Sequence, residues 1–135
     1  GTTGGALANR LQGLDAGLIA LREGMGDTWS NTVVAVVTEF GRTVRVNGTR
    51  GTDHGTASAA LLLGGAVRGG RVVSDWPGLA SNALFENRDL RPTTDMRAMF
   101  KGVLAEHMKL PDNYLERVVF PDSARAAPMR DLVKG

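Results

Sequence analysis

Apolar residues in the first part of the chain fall at Leu7, Leu11, Leu14, Leu18, Leu21 and Met25. Steps of three and four residues put them on one stripe, which predicts an amphipathic helix over 6–25. Gly13 and Gly17 either weaken that helix or let another element come close, and Gly24 and Gly26 read as its end. The pattern then changes. Val33-Val34-Ala35-Val36-Val37 is unbroken and β-branched, as in a strand covered on both faces of a parallel sheet. A polar, glycine-spaced loop follows from Glu39 to Gly55, and then a second apolar run from Ala57 to Leu63 that reads as another buried strand. Arg71-Val72-Val73 suggests a short third strand. Met96, Met99, Phe100, Val103, Leu104 and Met108 mark a second, core-facing helix that ends before Pro111. Thr93 or Thr94 is its expected cap, with Asp95 in the first turn. Tyr114 to Phe120 reads as a short turn and strand, and the tail beyond Pro121 as loosely held. Helix, turn and strand in this order predict the α/β class, mainly a parallel sheet flanked by helices, as one unit over 1–135.

Composition narrows the function classes. At 135 residues the chain can bury roughly two thirds of its unfolded surface. Hydrophobic residues make up 42% and charged residues 22%, a globular mix rather than a disordered one. Sixteen Lys and Arg against 14 Asp and Glu leave a formal charge of +2, too little for binding to nucleic acid by bulk electrostatics. No apolar run approaches the roughly 20 residues of a membrane span. Cysteine is absent, which removes disulfides, thiolate metal sites and cysteine nucleophiles. Gly4-Gly5 reads as an unstructured lead-in, and from the opening Gly1-Thr2-Thr3-Gly4-Gly5 we expect the chain to be a piece of a longer protein.

Two loops carry the candidate chemistry. Thr38-Glu39-Phe40-Gly41-Arg42 follows the valine run, and in open α/β sheets ligands collect beyond the carboxyl ends of strands. Glu39 can bind a cation and Arg42 an anionic group, or the two can form an ordinary surface pair. In Gly51-Thr52-Asp53-His54-Gly55-Thr56 a histidine stands beside a carboxylate, which suits a metal ligand with its orienting partner, or two ligands from one turn. The bland alternative is a turn capped by Asp53 with a solvated His54. His107 near the end of the second helix fits a helix-dipole role or a place bordering the core instead.

Rival motifs fail on their details. Gly64 to Arg71 lacks both the Lys-Ser/Thr of a phosphate loop and the dinucleotide glycine spacing. Ser58 has no nucleophile elbow around it. Arg42, Arg45 and Arg50 have no interleaved aromatics. Asn47-Gly48-Thr49 reads as a turn rather than a glycosylation site.

In combination, the segments Thr38-Glu39-Phe40-Gly41-Arg42-Thr43, Asn47-Gly48, Gly51-Thr52-Asp53-His54-Gly55, Leu63 to Val72 and Asp89 to Asp95 resemble a bacterial family known as domain of unknown function number 1501. The resemblance covers nearly the whole chain. It implies a fold like the alkaline phosphatase and sulfatase superfamily, an α/β sandwich with a metal centre at the strand ends. It also implies longer chains, of which this looks like the carboxyl-terminal part, and a periplasmic or secreted setting reached by twin-arginine export. By order along the chain, Glu39-Phe40 stands where that superfamily has Asp-His, and His54 where a later metal-binding His is expected. The implied metal ligands are therefore Glu39 and His54, with Asp53 as ligand or partner, for a divalent ion such as zinc, calcium or manganese. Arg42 is the implied grip on a phosphate or sulfate oxyanion.

Phe40 cannot bind a metal, and no residue here serves as nucleophile. The expected function is thus a metal-dependent phosphate or sulfate ester hydrolase whose site is incomplete in this chain. The alternative is a non-catalytic exported binding or scaffold protein on the same fold. Expected partners are the upstream half of the polypeptide or another copy, with an anionic small molecule or glycan as ligand. Neither nucleic acid nor a membrane span is expected.

Overall fold

The computed structural model describes residues 5–134, so Gly4 of the expected lead-in lies outside the described residues. Helix α1 runs from Ala6 to Met25, as the apolar stripe predicts, and ends where Gly26 adopts a φ of 50°. None of its residues is buried. Leu7 is 64% exposed, and of the stripe only Leu18 and Met25 are half-covered. A 3-10 turn, Gly26–Asn31, leads from α1 towards the first strand.

Strand β1, Val34–Val36, pairs with β4, Leu61–Leu63, with Val34 opposite Leu63 and Val36 opposite Leu61. Between them, β2 (Gly41–Arg42) pairs with β3 (His54–Gly55). Both pairs are antiparallel, and the expected parallel sheet is not what the described residues form. An unbroken apolar run reports how a strand is covered and says nothing of its direction. Here the loop between β1 and β4 turns back on itself, so the chain returns antiparallel. Coverage is also partial, since Ala35 is exposed and Leu61 is 47% exposed. Arg71–Val73 forms no strand, and Val72 is 90% exposed.

Helix α2 spans Met96–Met108. Its cap is Asp95 rather than Thr93 or Thr94: the Asp95 carboxylate accepts the Arg97 amide at 2.9 Å. The chain beyond α2 is helical to Val119, first over Asp112–Tyr114 and then as a wide turn over Leu115–Val119, where a strand was expected.

The tail after Pro121 is part of the core. Ala126, Leu132 and Val133 are buried, and Leu132 and Val133 cluster with Ala66 and Met99. Val33, Leu62, Phe100, Val103 and Met129 pack around this cluster. Polar groups on α2 hold the tail by its backbone. Lys101, fully buried, donates to the Ser123 carbonyl at 2.7 Å and the Ala126 carbonyl at 3.0 Å, with Glu116 3.7 Å away. The Glu106 carboxylate accepts the amides of Asp131, Leu132 and Val133 at 2.6–2.8 Å. Gly102 lets this happen, because a Cβ there would collide with the Met129 carbonyl. Val67 and Val133 then pair as an isolated bridge that ties the tail to the segment after β4.

Candidate functional site

The segment between β1 and β4 folds into a small hairpin that carries most of the candidate residues. Its register sets Arg42 opposite His54 and Gly41 opposite Gly55. Directly opposed residues share a face of an antiparallel pair, so a guanidinium and an imidazole stand side by side. The glycines make this approach feasible. A Cβ on Gly41 would meet the backbone at Ala57, and one on Gly55 would meet the backbone at Arg42.

Each side chain has a definite anchor. Arg42 Nη1 donates to the Thr52 carbonyl at 2.9 Å, which fixes the guanidinium across the hairpin. Arg42 also lines an open depression of about 260 Å³ with Ser58, Trp76, Leu79 and Leu90. The His54 ring stacks on Phe40, with centroids 4.2 Å apart and planes 15° from parallel. Glu39 is exposed, next to Phe40 at the entry to β2. Its ordinary pairing with Arg42 is not formed, since the ion pairs of the described residues join other groups.

Asp53 is placed differently. It lies just before β3, and its Oδ1 accepts from Asn47 Nδ2 at 2.9 Å. Asn47 in turn organises the tip, with Oδ1 accepting the amides of Thr49 and Gly51 at 3.1 and 3.0 Å. The turn read at Asn47-Gly48-Thr49 is therefore real, and its job is to brace Asp53. His107 is half-buried in the last turn of α2, away from this hairpin in the chain.

One residue near the site was not singled out from the sequence. The Asp89 carboxylate, 3% exposed, accepts Thr56 Oγ1 at 2.7 Å and Arg88 Nε at 2.7 Å. The Arg88 guanidinium first, then the Thr56 hydroxyl, hold its carboxyl below the usual carboxylate range. Arg88 is raised by the same bond. In the sequence Asp89 is one of several charged residues in Glu86-Asn87-Arg88-Asp89, and only its place before Leu90 could have hinted at burial.

Among the described residues no group of three or more His, Asp and Glu side chains is placed to hold a metal ion. Glu39, Asp53 and His54 therefore form no such group, and an ion held by any of them needs ligands from elsewhere. No helix among the described residues is long and apolar enough to cross a membrane.

A family model described as a protein of unknown function, DUF1501, matches residues 1–119. No curated protein and no solved structure matches the chain. The hairpin, with its Arg42 and His54, lies wholly within the matched residues, and by that match the chain belongs to the DUF1501 family.

Proposed function

We propose that the β2–β3 hairpin is part of a metal-dependent centre for phosphate or sulfate esters, in a protein exported to the periplasm or secreted. The surrounding fold is then a portion of an alkaline-phosphatase-like sandwich. The upstream half of the polypeptide or another copy supplies the nucleophile and the remaining metal ligands. The observation that carries this reading is the cross-strand pairing of His54 with Arg42, which itself lines an open depression.

Arg42 binds the ester oxyanion. Its bond to the Thr52 carbonyl fixes the planar fork beforehand, so little side-chain freedom is lost when an anion arrives. As charge grows on the oxyanion, a fixed guanidinium stabilises it without reorganising. His54 and Glu39 are the metal donors, and stacking on Phe40 restricts the imidazole to one orientation. A divalent ion bound there would act as a Lewis acid on the ester. Asp53, braced by Asn47, is a further ligand or the partner of His54.

The second reading is a non-catalytic exported protein that binds an anionic small molecule or glycan with the same face. Phe40 favours it, because an aromatic stands where the superfamily pattern has a metal-binding histidine, and it covers one side of His54. Chromogenic phosphate and sulfate esters assayed with the full-length protein separate the two. The hydrolase reading expects turnover that falls at least about tenfold in Arg42→Ala, the loss of a charge-assisted hydrogen bond. Saturable phosphate binding without turnover would select the binding protein. Neither turnover nor binding would reject both.

A further inference from the structure

The β2–β3 hairpin is too small to hold its own shape. Each strand contributes two residues, and an isolated two-stranded hairpin is marginal in water even when longer. Something else must keep Arg42 and His54 abreast. The residues that follow each of them lead to one residue, Asp89.

On the first strand, Thr43 pairs with Asp89 as an antiparallel bridge, and the next amide, Val44, donates to the Arg88 carbonyl at 3.1 Å. On the second strand, Thr56 Oγ1 donates to the Asp89 carboxylate at 2.7 Å. Asp89 is itself held firmly. Its backbone exchanges two hydrogen bonds of 3.0 Å with Phe85, and Arg88 grips its carboxylate with two nitrogens at 2.7 and 3.2 Å. A carboxylate this buried keeps a donor such as Thr56 tightly, because losing the bond leaves a desolvated oxygen without a partner.

We infer that Asp89 is a positioning residue that sets the spacing of the Arg42 and His54 side chains, by its backbone on one strand and its carboxylate on the other. The inference rests on the reading of Arg42 and His54 as ester-site residues. It adds a residue that touches neither ligand nor metal and acts through Thr56 and Thr43.

The test compares Thr56→Val, Thr56→Ser, Asp89→Asn and the double variant Thr56→Val with Asp89→Asn in the full-length protein. Thr56→Val keeps the volume and leaves the Arg88–Asp89 pair in place, so it stays informative if Asp89→Asn fails to fold. Two readouts are taken at one fixed pH: the ring-current shift of the His54 imidazole protons from Phe40, and the affinity for inorganic phosphate. Thr56→Val should lose the ring-current shift and weaken phosphate about tenfold, the scale of one charge-assisted hydrogen bond, and Thr56→Ser should restore both. The double variant should be no worse than Asp89→Asn alone, because both changes break one link. Wild-type values of both readouts in Thr56→Val and Asp89→Asn would overturn the inference. A lost ring-current shift in a protein that binds no phosphate even as wild type would uphold the positioning role and reject the ester-site reading.

Discussion

Helices α1 and α2 carry similar apolar spacing and meet opposite fates. Leu7, Leu11, Leu14 and Leu21 of α1 remain exposed, and the helix buries no residue. Helix α2 buries Ala98, Met99, Lys101 and Gly102. The buried set on α2 follows the predicted stripe only in part: Met99 is buried, and Phe100 and Val103 pack against the core. Met96 and Met108, at the two ends of that stripe, are exposed, while a lysine from beside it is fully buried. A stripe states what a helix could cover, whereas burial depends on which segment arrives to cover it. On α2 the arriving segment is the tail. It is recruited by backbone hydrogen bonds to Lys101 and Glu106 as much as by apolar contact.

The sharpest way to break this contrast is to remove the buried ammonium. Lys101→Met keeps the aliphatic stem, strands the Ala126 carbonyl, leaves the Ser123 carbonyl with only the Ala126 amide, and deprives Glu116 of its partner. We expect a loss of about 2–4 kcal/mol in urea unfolding, the range for unsatisfied buried groups and broken buried pairs. An unchanged midpoint would mean that the tail does not depend on Lys101. Glu106→Gln comes next. The weaker acceptor should cost about 1–2 kcal/mol and speed hydrogen exchange at Leu132 and Val133, whose amides it accepts. Equal exchange rates in both proteins would contradict the clamp.

The hairpin sharpens the comparison on the acid side of the pH scale. Arg88 and Thr56 hold the folded Asp89 carboxyl below its ordinary value. Its contribution to stability is therefore present above the unfolded pKa of about 3.9 and is lost as pH falls through the lower folded value. Asp89→Asn should lower the melting temperature at neutral pH, and the gap to wild type should close as pH drops below 4 or so. A gap independent of pH would show that its charge is not what stabilises the hairpin. The smallest effect is expected on α1. Leu11→Ala should change stability by less than about 0.5 kcal/mol in this chain, because the side chain is exposed. A loss of several times that would show that α1 is covered in solution.

These contrasts also show what the amino-acid pattern could and could not reveal. Both long helices were legible from spacing alone, as were the place of β1 within the valine run and the end of β4, because local pattern depends only on neighbours in the chain. Strand direction was not, since Val33–Val37 looks the same in either orientation. The tail was misjudged because most of its anchors are main-chain groups, which leave no trace in residue types, and its apolar positions are short pairs between polar residues with no helical or strand period. At the site, the segments around Arg42 and His54 stood out by their glycines and charges. Their juxtaposition did not, because it comes from a register that only folding sets. Asp89 stayed hidden for a similar reason, with its partner Thr56 far away in the chain.

Metal content of the native full-length protein, measured by mass spectrometry beside a His54→Ala variant, tests the proposed centre most directly. The account predicts a near-stoichiometric divalent metal in the wild type that is lost in the variant. No metal in either protein would contradict the hydrolase reading and leave an anion-binding scaffold as the better account of the Arg42 and His54 face.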